Sequence, residues 1–132
     1  MRAARNAGTD ASDTKAILMQ RMAIVAAFVL LVGPAAAHHG WGSYDAAKPI
    51  TVSGPIQTLK FENPHATITV KAADKTWTVI LAPPSRMNSR GAVPAMVAAG
   101  KTVSAYGYAS TVEKDELRAE RITIDGKTIE LR

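Results

Sequence analysis

The sequence contains no cysteine, so it excludes disulfide bridges, thiolate metal sites and a lipid-modified cysteine anchor. Histidine is scarce, with three residues, and aromatic side chains make up only 5% of the chain. The net charge of +5 is modest and lacks the dense positive charge of a dedicated nucleic-acid binder. There is no Ser/His/Asp arrangement, paired-carboxylate pattern or phosphate-binding glycine loop. We therefore expect a binding protein that is not an enzyme and has no nucleic-acid partner.

Long apolar segments are absent except near the N-terminus, where one runs from Met22 to Val32. Basic residues precede this segment, and Gly33-Pro34 and the small residues Ala35-Ala36-Ala37 follow it. This order is typical of a secretory signal peptide. A membrane anchor is the alternative, but crossing the hydrocarbon core takes ~20 apolar residues and this segment is shorter. We predict a signal peptide over residues 1–37, a periplasmic location and no stable membrane anchor after cleavage.

Cleavage after Ala37 leaves 95 of the 132 residues, enough for one small domain. The removed segment holds four basic and two acidic residues, so the net charge falls from +5 to +3. Residues 38–49 are rich in glycine, serine, histidine and aromatic residues and show no helical or strand period. We interpret them as an N-terminal arm that precedes a domain over residues 50–132.

Alternating apolar and polar residues predict five or six strands in this domain. Ile50, Val52 and Ile56 share one face of the first strand, and the apolar positions then shift parity to Leu59 and Phe61, which indicates a bulge. The later strands are predicted at Ala66–Ala72, Lys75–Leu81, Lys101–Tyr108, Leu117–Ile124 and Lys127–Leu131. Tight hairpins are predicted at Ala73-Asp74-Lys75 and Asp125-Gly126.

One short helix is predicted at Pro94–Ala99, because proline favours the first helical position and Gly100 favours a stop. Residues 85–93 are predicted to be irregular. A helix between the third and fourth strands of a five-stranded barrel is the plan of the OB fold. A small SH3-like barrel or a sandwich fits nearly as well. The predicted class is all-β, a five- to six-stranded antiparallel OB-like barrel with one short helix.

Two of the three histidines, His38 and His39, would be the first residues after cleavage. The free α-amino group and imidazole of one terminal residue can chelate a single metal ion, and nitrogen-rich sites favour Cu(II). Cleavage one residue earlier would put His39 at the third position, which is the amino-terminal copper- and nickel-binding arrangement. With either cleavage position, the new N-terminus would offer a set of copper ligands. The alternative is that the terminal histidines are solvated and bind no metal.

The third histidine, His65, shares its parity with Thr67 and Thr69, so it should face the polar side of the second strand. Asn63-Pro64 precedes it and restricts the backbone there. If the arm folds back, His65 completes a three-nitrogen site with the terminal pair. Alternatively, this turn only caps the strand through hydrogen bonds.

Three further residues are candidates for supporting roles at this site. Asp45 is a candidate acceptor for an imidazole N–H, Asn63 orients the turn, and Trp41 anchors the arm to the barrel. Arg86 and Arg90 are weaker candidates for binding an anion, with a solvated loop as the alternative reading.

Several motifs resemble one family of small exported bacterial proteins, grouped as domain of unknown function 6152. They are His38-His39-Gly40-Trp41, Tyr44-Asp45, Gly54, Asn63-Pro64-His65, Trp77-Thr78-Val79, Arg90-Gly91, Gly100 and Gly107. The resemblance implies an exported, periplasmic OB-like barrel and supplies no activity. The chain departs from the pattern at Ile80-Leu81, where the family carries an acidic residue, and at Ala92, where an aromatic is frequent.

The resemblance rests most on the His-His and Asn-Pro-His motifs, and it therefore points to His38, His39 and His65. The leading hypothesis is a periplasmic binding protein that holds copper through these residues. The alternative is a metal-free module that binds a protein or oligosaccharide partner through a strand face and loops.

Overall fold

The computed structural model describes residues 40–132, and the predicted signal peptide, His38 and His39 lie outside them. A 3-10 turn at Trp41–Ser43 opens the described chain. The strands and the α-helix that follow are β1 (Tyr44–Lys60), β2 (Thr67–Lys71), β3 (Thr76–Ile80), α1 (Pro84–Ser89), β4 (Thr102–Ser110), β5 (Glu116–Ile124) and β6 (Lys127–Glu130).

Five of these strands close into a barrel. β1 pairs with both β2 and β4, β2 pairs with β3, and β4 pairs with β5, all antiparallel. The ring closes where Thr78–Ile80 of β3 runs parallel to residues 116–118 of β5. β6 pairs with the other end of β5. The prediction of an all-β, OB-like barrel is confirmed.

The core is built from the alternating positions that the sequence indicates. Ile68 and Val70 of β2 and Val79 of β3 are fully buried, and Trp77 belongs to the same hydrophobic cluster. Both predicted hairpins are present. The second turns at Asp125 and Gly126, whose φ angles of 52° and 74° are those of a tight two-residue hairpin turn.

β1 is long and bulged, as predicted. Its register against β2 shifts between Ile56 and Thr58. A Cβ atom on Gly54 would lie 2.1 Å from the backbone oxygen of Lys71, so only glycine lets the two chains approach this closely. The strand begins at Tyr44, inside the predicted arm, because Tyr44 pairs with Ser110 of β4. The start of this strand depends on a contact between distant residues, so the local sequence does not show the alternation of apolar and polar residues that would predict it.

The predicted position of the helix is wrong. The helix is α1, with Pro84 in its first turn, whereas residues 94–97 form only a turn closed by the Met96 N–H and the Val93 carbonyl at 2.9 Å. α1 buries Met87 completely, and the Arg86 guanidinium binds the backbone oxygen of Leu131 at 3.2 Å. These tertiary contacts stabilise a helix at residues 84–89, ahead of the predicted segment at 94–99. No helix within residues 40–132 has the length and hydropathy to cross a membrane.

Candidate functional site on the outer face of the barrel

The site is organised around Arg118, the third residue of β5. Leu117 and Ala119 point into the core, so alternation directs Arg118 to the outer face of the barrel. Its exposure is nevertheless only 9%, and among residues 40–132 it is the one charged residue that is buried. Burial of a charge is costly unless other groups compensate for it, so the side chains that cover Arg118 need to be identified.

Gly107 of β4 sets the backbone beside Arg118. It pairs with Ala119 at a point where the β4–β5 register shifts. A Cβ atom on Gly107 would lie 2.0 Å from the backbone oxygen of Arg118, a distance at which the strands would have to separate. Because Gly107 has no side chain, β4 can approach the backbone of β5 closely at Arg118.

Aromatic rings cover the Arg118 guanidinium. Its Cζ atom lies 4.4 Å from the centre of the Trp41 ring and 5.8 Å from that of Tyr44. The Arg132 guanidinium lies over the same indole at 4.8 Å. Cation–π attraction is strongest for tryptophan and increases when the pair is desolvated. The 3-10 turn that carries Trp41 is thus held against β5, with Ser43 O accepting the Thr111 N–H at 2.8 Å.

His65, in the loop between β1 and β2, contacts the same guanidinium. Arg118 Nη2 lies 3.3 Å from His65 Nε2. Because arginine only donates, this contact is a hydrogen bond in the tautomer whose Nε2 accepts. Trp41 and His65, which are distant in sequence, therefore meet on one arginine.

Two tyrosine–glutamate pairs flank Arg118 along β5. The Tyr44 hydroxyl donates to Glu116 Oε1 at 2.6 Å, and the Tyr108 hydroxyl donates to Glu120 Oε2 at 2.7 Å. Burial, followed by the hydrogen bond to Glu116, raises the pKa of Tyr44 well above its usual value. The hydrogen bond to Glu120 raises the pKa of Tyr108 first of all. Both phenols are therefore neutral donors at physiological pH.

Positive charge accumulates at this face. Burial lowers the pKa of Arg118, and the nearby charges of Arg86 and Arg132 lower it further. Arg132 lies 3.5 Å from Glu120. Within the described part of the chain, neither Arg118 nor Arg86 forms a salt bridge with a carboxylate.

The structure places the other predicted site residues as follows. Asp45 accepts the backbone N–H of Ala47 at 3.2 Å, a local contact, and Asn63 is exposed in the β1–β2 loop. No group of three or more histidine, aspartate or glutamate side chains suited to a metal ion occurs within residues 40–132. His38 and His39 lie outside that range, so the composite copper site remains a prediction.

Sequence reasoning missed the central residue of the site. Arg118 stands between buried positions in an ordinary alternating strand, and no local pattern distinguishes it from a solvated arginine. Arg132, which follows β6, was also missed, because no local pattern distinguishes it from a solvated arginine. Arg86 is a candidate anion ligand from the sequence, but nothing there connects it with β5.

No curated protein matches this chain. Among solved structures, it is similar to the tRNA agmatidine synthetase TiaS in complex with an isoleucine tRNA and ATP (17% identity, TM-score 0.46). That match covers 61% of this chain and 18% of TiaS. A ZRD-deleted TiaS mutant in complex with agmatine matches at 17% identity and a TM-score of 0.46, over 67% of this chain and 25% of its own.

One family model matches, over residues 26–117, which is most of the chain. It includes Trp41 and His65 and ends at the second residue of β5, just before Arg118. The chain belongs to the family of unknown function DUF6152.

Proposed function

We propose that this protein is an exported OB-like binding module whose ligand is copper, held by His38, His39 and His65. The observation that supports this most is the meeting of Trp41 and His65 on the Arg118 guanidinium. His39 lies two residues before Trp41, and two residues span at most about 7 Å of backbone. The proposal requires the terminal histidines to reach His65 from this point, and the short link to Trp41 is the reason for proposing it.

The position of His65 also supports copper binding. A metal ion requires an unprotonated imidazole nitrogen, and Nε2 of His65 lies at the guanidinium that Trp41 covers. At 3.3 Å, this hydrogen bond is at the long end of the range and easily replaced. If His65 were a copper ligand, it would have to leave the Arg118 guanidinium, which could keep its contact with Trp41.

Export is supported by the order of features in residues 1–37. Periplasmic cleavage would create the free amine that the site needs. The test therefore begins with the whole chain, expressed with residues 1–37 in a bacterial host and purified from the periplasm without a tag. Mass spectrometry of the N-terminus should show cleavage after Ala37, or one residue earlier.

Copper binding is tested on that mature protein by Cu(II) titration, followed by d–d absorption and calorimetry. We expect one Cu(II) per chain, a loss of affinity of at least about tenfold for His65→Ala, and loss of the site on deletion of His38-His39. Thr69→Ala is the matched control and should bind as the wild type does, because its hydroxyl bonds Thr58 on the outer side of β2 and does not contact His65. Unchanged affinity in both histidine variants would rule out the composite site.

A metal-free module that binds a protein or oligosaccharide partner is the second candidate. It is favoured by the concentration of Trp41, Tyr44 and Tyr108 with two guanidiniums on one outer face. Tryptophan, tyrosine and arginine are the side chains that contribute most to binding energy at interfaces. Partner binding that is unaffected by removal of copper would support this candidate.

A further inference from the structure

The guanidinium groups at the outer face have more hydrogen-bond donors than the protein uses. Each guanidinium carries five N–H donors. In the described chain, Arg118 makes one hydrogen bond, to His65, and Arg86 makes one, to the Leu131 carbonyl. Arg132 has a single ion-pair contact, with Glu120 at 3.5 Å. Most of the donors of the three arginines are therefore available to another acceptor.

These remaining donors are accessible. Within residues 40–132, no buried side-chain nitrogen or oxygen lacks a hydrogen-bond partner. The nitrogens of Arg118 that bond nothing must therefore lie at the surface, although the residue as a whole is only 9% exposed. Arg86 is exposed, and the Arg132 side chain is 60% exposed. A ligand can approach all three without unfolding the barrel.

The aromatic rings indicate which ligand chemistry fits. Guanidiniums already lie over the Trp41 ring at 4.4 and 4.8 Å, so that ring is engaged by cations. A guanidinium over an aromatic ring can still form hydrogen bonds through its N–H edges. These edges match a planar anion with two oxygen atoms, which accepts paired hydrogen bonds from arginine. A neutral sugar ring, which needs an uncovered aromatic face, fits less well.

The protein's own carboxylates show the type of acceptor that these donors take. Glu120 accepts from the Tyr108 hydroxyl at 2.7 Å and approaches Arg132 at 3.5 Å. Arg118 and Arg86 add positive charge at the same place, and neither forms a salt bridge with a carboxylate of the described chain, although Glu116 lies near Arg118.

We propose that Arg86, Arg118 and Arg132 form a binding site for a carboxylate-bearing ligand beside Trp41. The site consists only of residues in the described barrel and needs no metal ion. It is independent of the copper proposal, so the failure of one leaves the other standing. Acidic peptides and polyuronate chains both present the required carboxylates.

The test uses mature protein freed of metal on a chelating resin, with tryptophan fluorescence and calorimetry as readouts. The probes are hexaglutamate, an oligogalacturonate and inorganic phosphate, at low and high salt. We expect saturable binding of at least one carboxylate probe, a change in Trp41 emission, and weaker binding at high salt. Trp41→Phe should remove most of the emission change, because Trp77 is buried in the core.

Arg132→Gln and Arg86→Gln should each weaken carboxylate binding by about tenfold, since hydrogen bonds to charged groups are worth about 1.5–3 kcal/mol. Arg121→Gln is the matched control. It removes a guanidinium that lies 4.1 Å from the Tyr106 ring on the same strand, and it should change affinity less than twofold. Thermal midpoints of all variants check that the fold is intact.

Three results would overturn the proposal: no saturable binding of either carboxylate probe, binding of phosphate alone, or an equal loss of affinity in Arg121→Gln and Arg132→Gln. An equal loss in these two variants would mean that the probe binds through the net charge of the protein and not at a specific site. If the proposal holds, preference for hexaglutamate or for oligogalacturonate identifies the source of the carboxylates.

Discussion

Trp41 and Trp77 each lie beneath a cationic side chain, Trp41 at 4.4 Å from Arg118 and Trp77 at 4.2 Å from Lys75. Their surroundings differ. Trp77 packs in the hydrophobic core, and the ammonium of Lys75 forms a salt bridge of 2.7 Å with Asp115. Trp41 lies outside the core cluster, on the outer face of the barrel, where two guanidiniums share its ring.

The difference separates a structural aromatic from a candidate functional one. Trp77 is part of the hydrophobic core, and the cation over its ring is paired with a carboxylate. Around Trp41, two guanidiniums share one ring, and one of them, Arg118, is buried without a salt bridge to a carboxylate of the described chain, although Glu116 lies nearby. Proteins tolerate the cost of burying a charged group most often at binding sites. The predictions below test whether the two tryptophans differ in this way.

The largest expected effect is on stability. Trp77→Ala should lower the free energy of unfolding by about 3–5 kcal/mol, the usual cost of removing a buried tryptophan. Trp41→Ala should lower it by about 1 kcal/mol, because its ring contacts are cation–π and edge contacts at the surface. Urea denaturation of both variants at neutral pH measures the two values.

Phenylalanine variants serve as controls for that comparison. Trp77→Phe retains an apolar ring and should recover most of the loss, whereas Trp41→Phe should remain close to wild type. Equal destabilisation by Trp41→Ala and Trp77→Ala would show that the arm is part of the structural core. The distinction between the two aromatic regions would then be wrong.

An intermediate effect is expected from Tyr44 at alkaline pH. Its pKa is raised in the folded protein, mainly by burial and then by Glu116. The contribution of neutral Tyr44 to stability is complete at pH values below ~10, the pKa of tyrosine in the unfolded chain. It decreases as pH rises above that value, because only the unfolded tyrosine ionises there. The slope is at most about 1.4 kcal/mol per pH unit before solvent screening.

Tyr44→Phe should therefore flatten the loss of stability between about pH 10 and 11, as measured by urea denaturation at each pH. Tyr108→Phe is the matched control, since Tyr108 also donates to a glutamate but is more exposed. Identical alkaline slopes in wild type and Tyr44→Phe would contradict a role for burial in holding this phenol neutral.

The barrel was predictable from the sequence because strand burial has a local period. Ile68, Val70, Trp77 and Val79 alternate with polar residues, and each is in the core as predicted. The hairpin at Asp125-Gly126 was predictable because its backbone angles favour those residue types. The helix was misplaced because contacts between α1 and the C-terminal segment, which have no local signature, decide its position.

The candidate site was predictable only in its parts. The parity of His65 assigned it to the polar side, and it does contact an outward-facing residue, Arg118. The partnership with Arg118 was not predictable, because it depends on the closure of β3 against β5 and on the narrow contact at Gly107. Contacts between residues so far apart in sequence follow from the topology of the barrel alone.

The smallest expected effect concerns the salt bridge beside Trp77. The hydrogen bond from Lys75 lowers the pKa of Asp115, so the pair stabilises the fold above the unfolded value of ~4 and loses that contribution as pH falls below it. Asp115→Asn suits the left-handed backbone there, with φ of 57°, and removes only the charge. We expect a slightly lower urea midpoint at about pH 7, and no difference from wild type at about pH 3 or in concentrated salt. A difference that persists under both conditions would show that Asp115 acts through its backbone turn, and that the charge near Trp77 is as poorly compensated as the charge near Trp41.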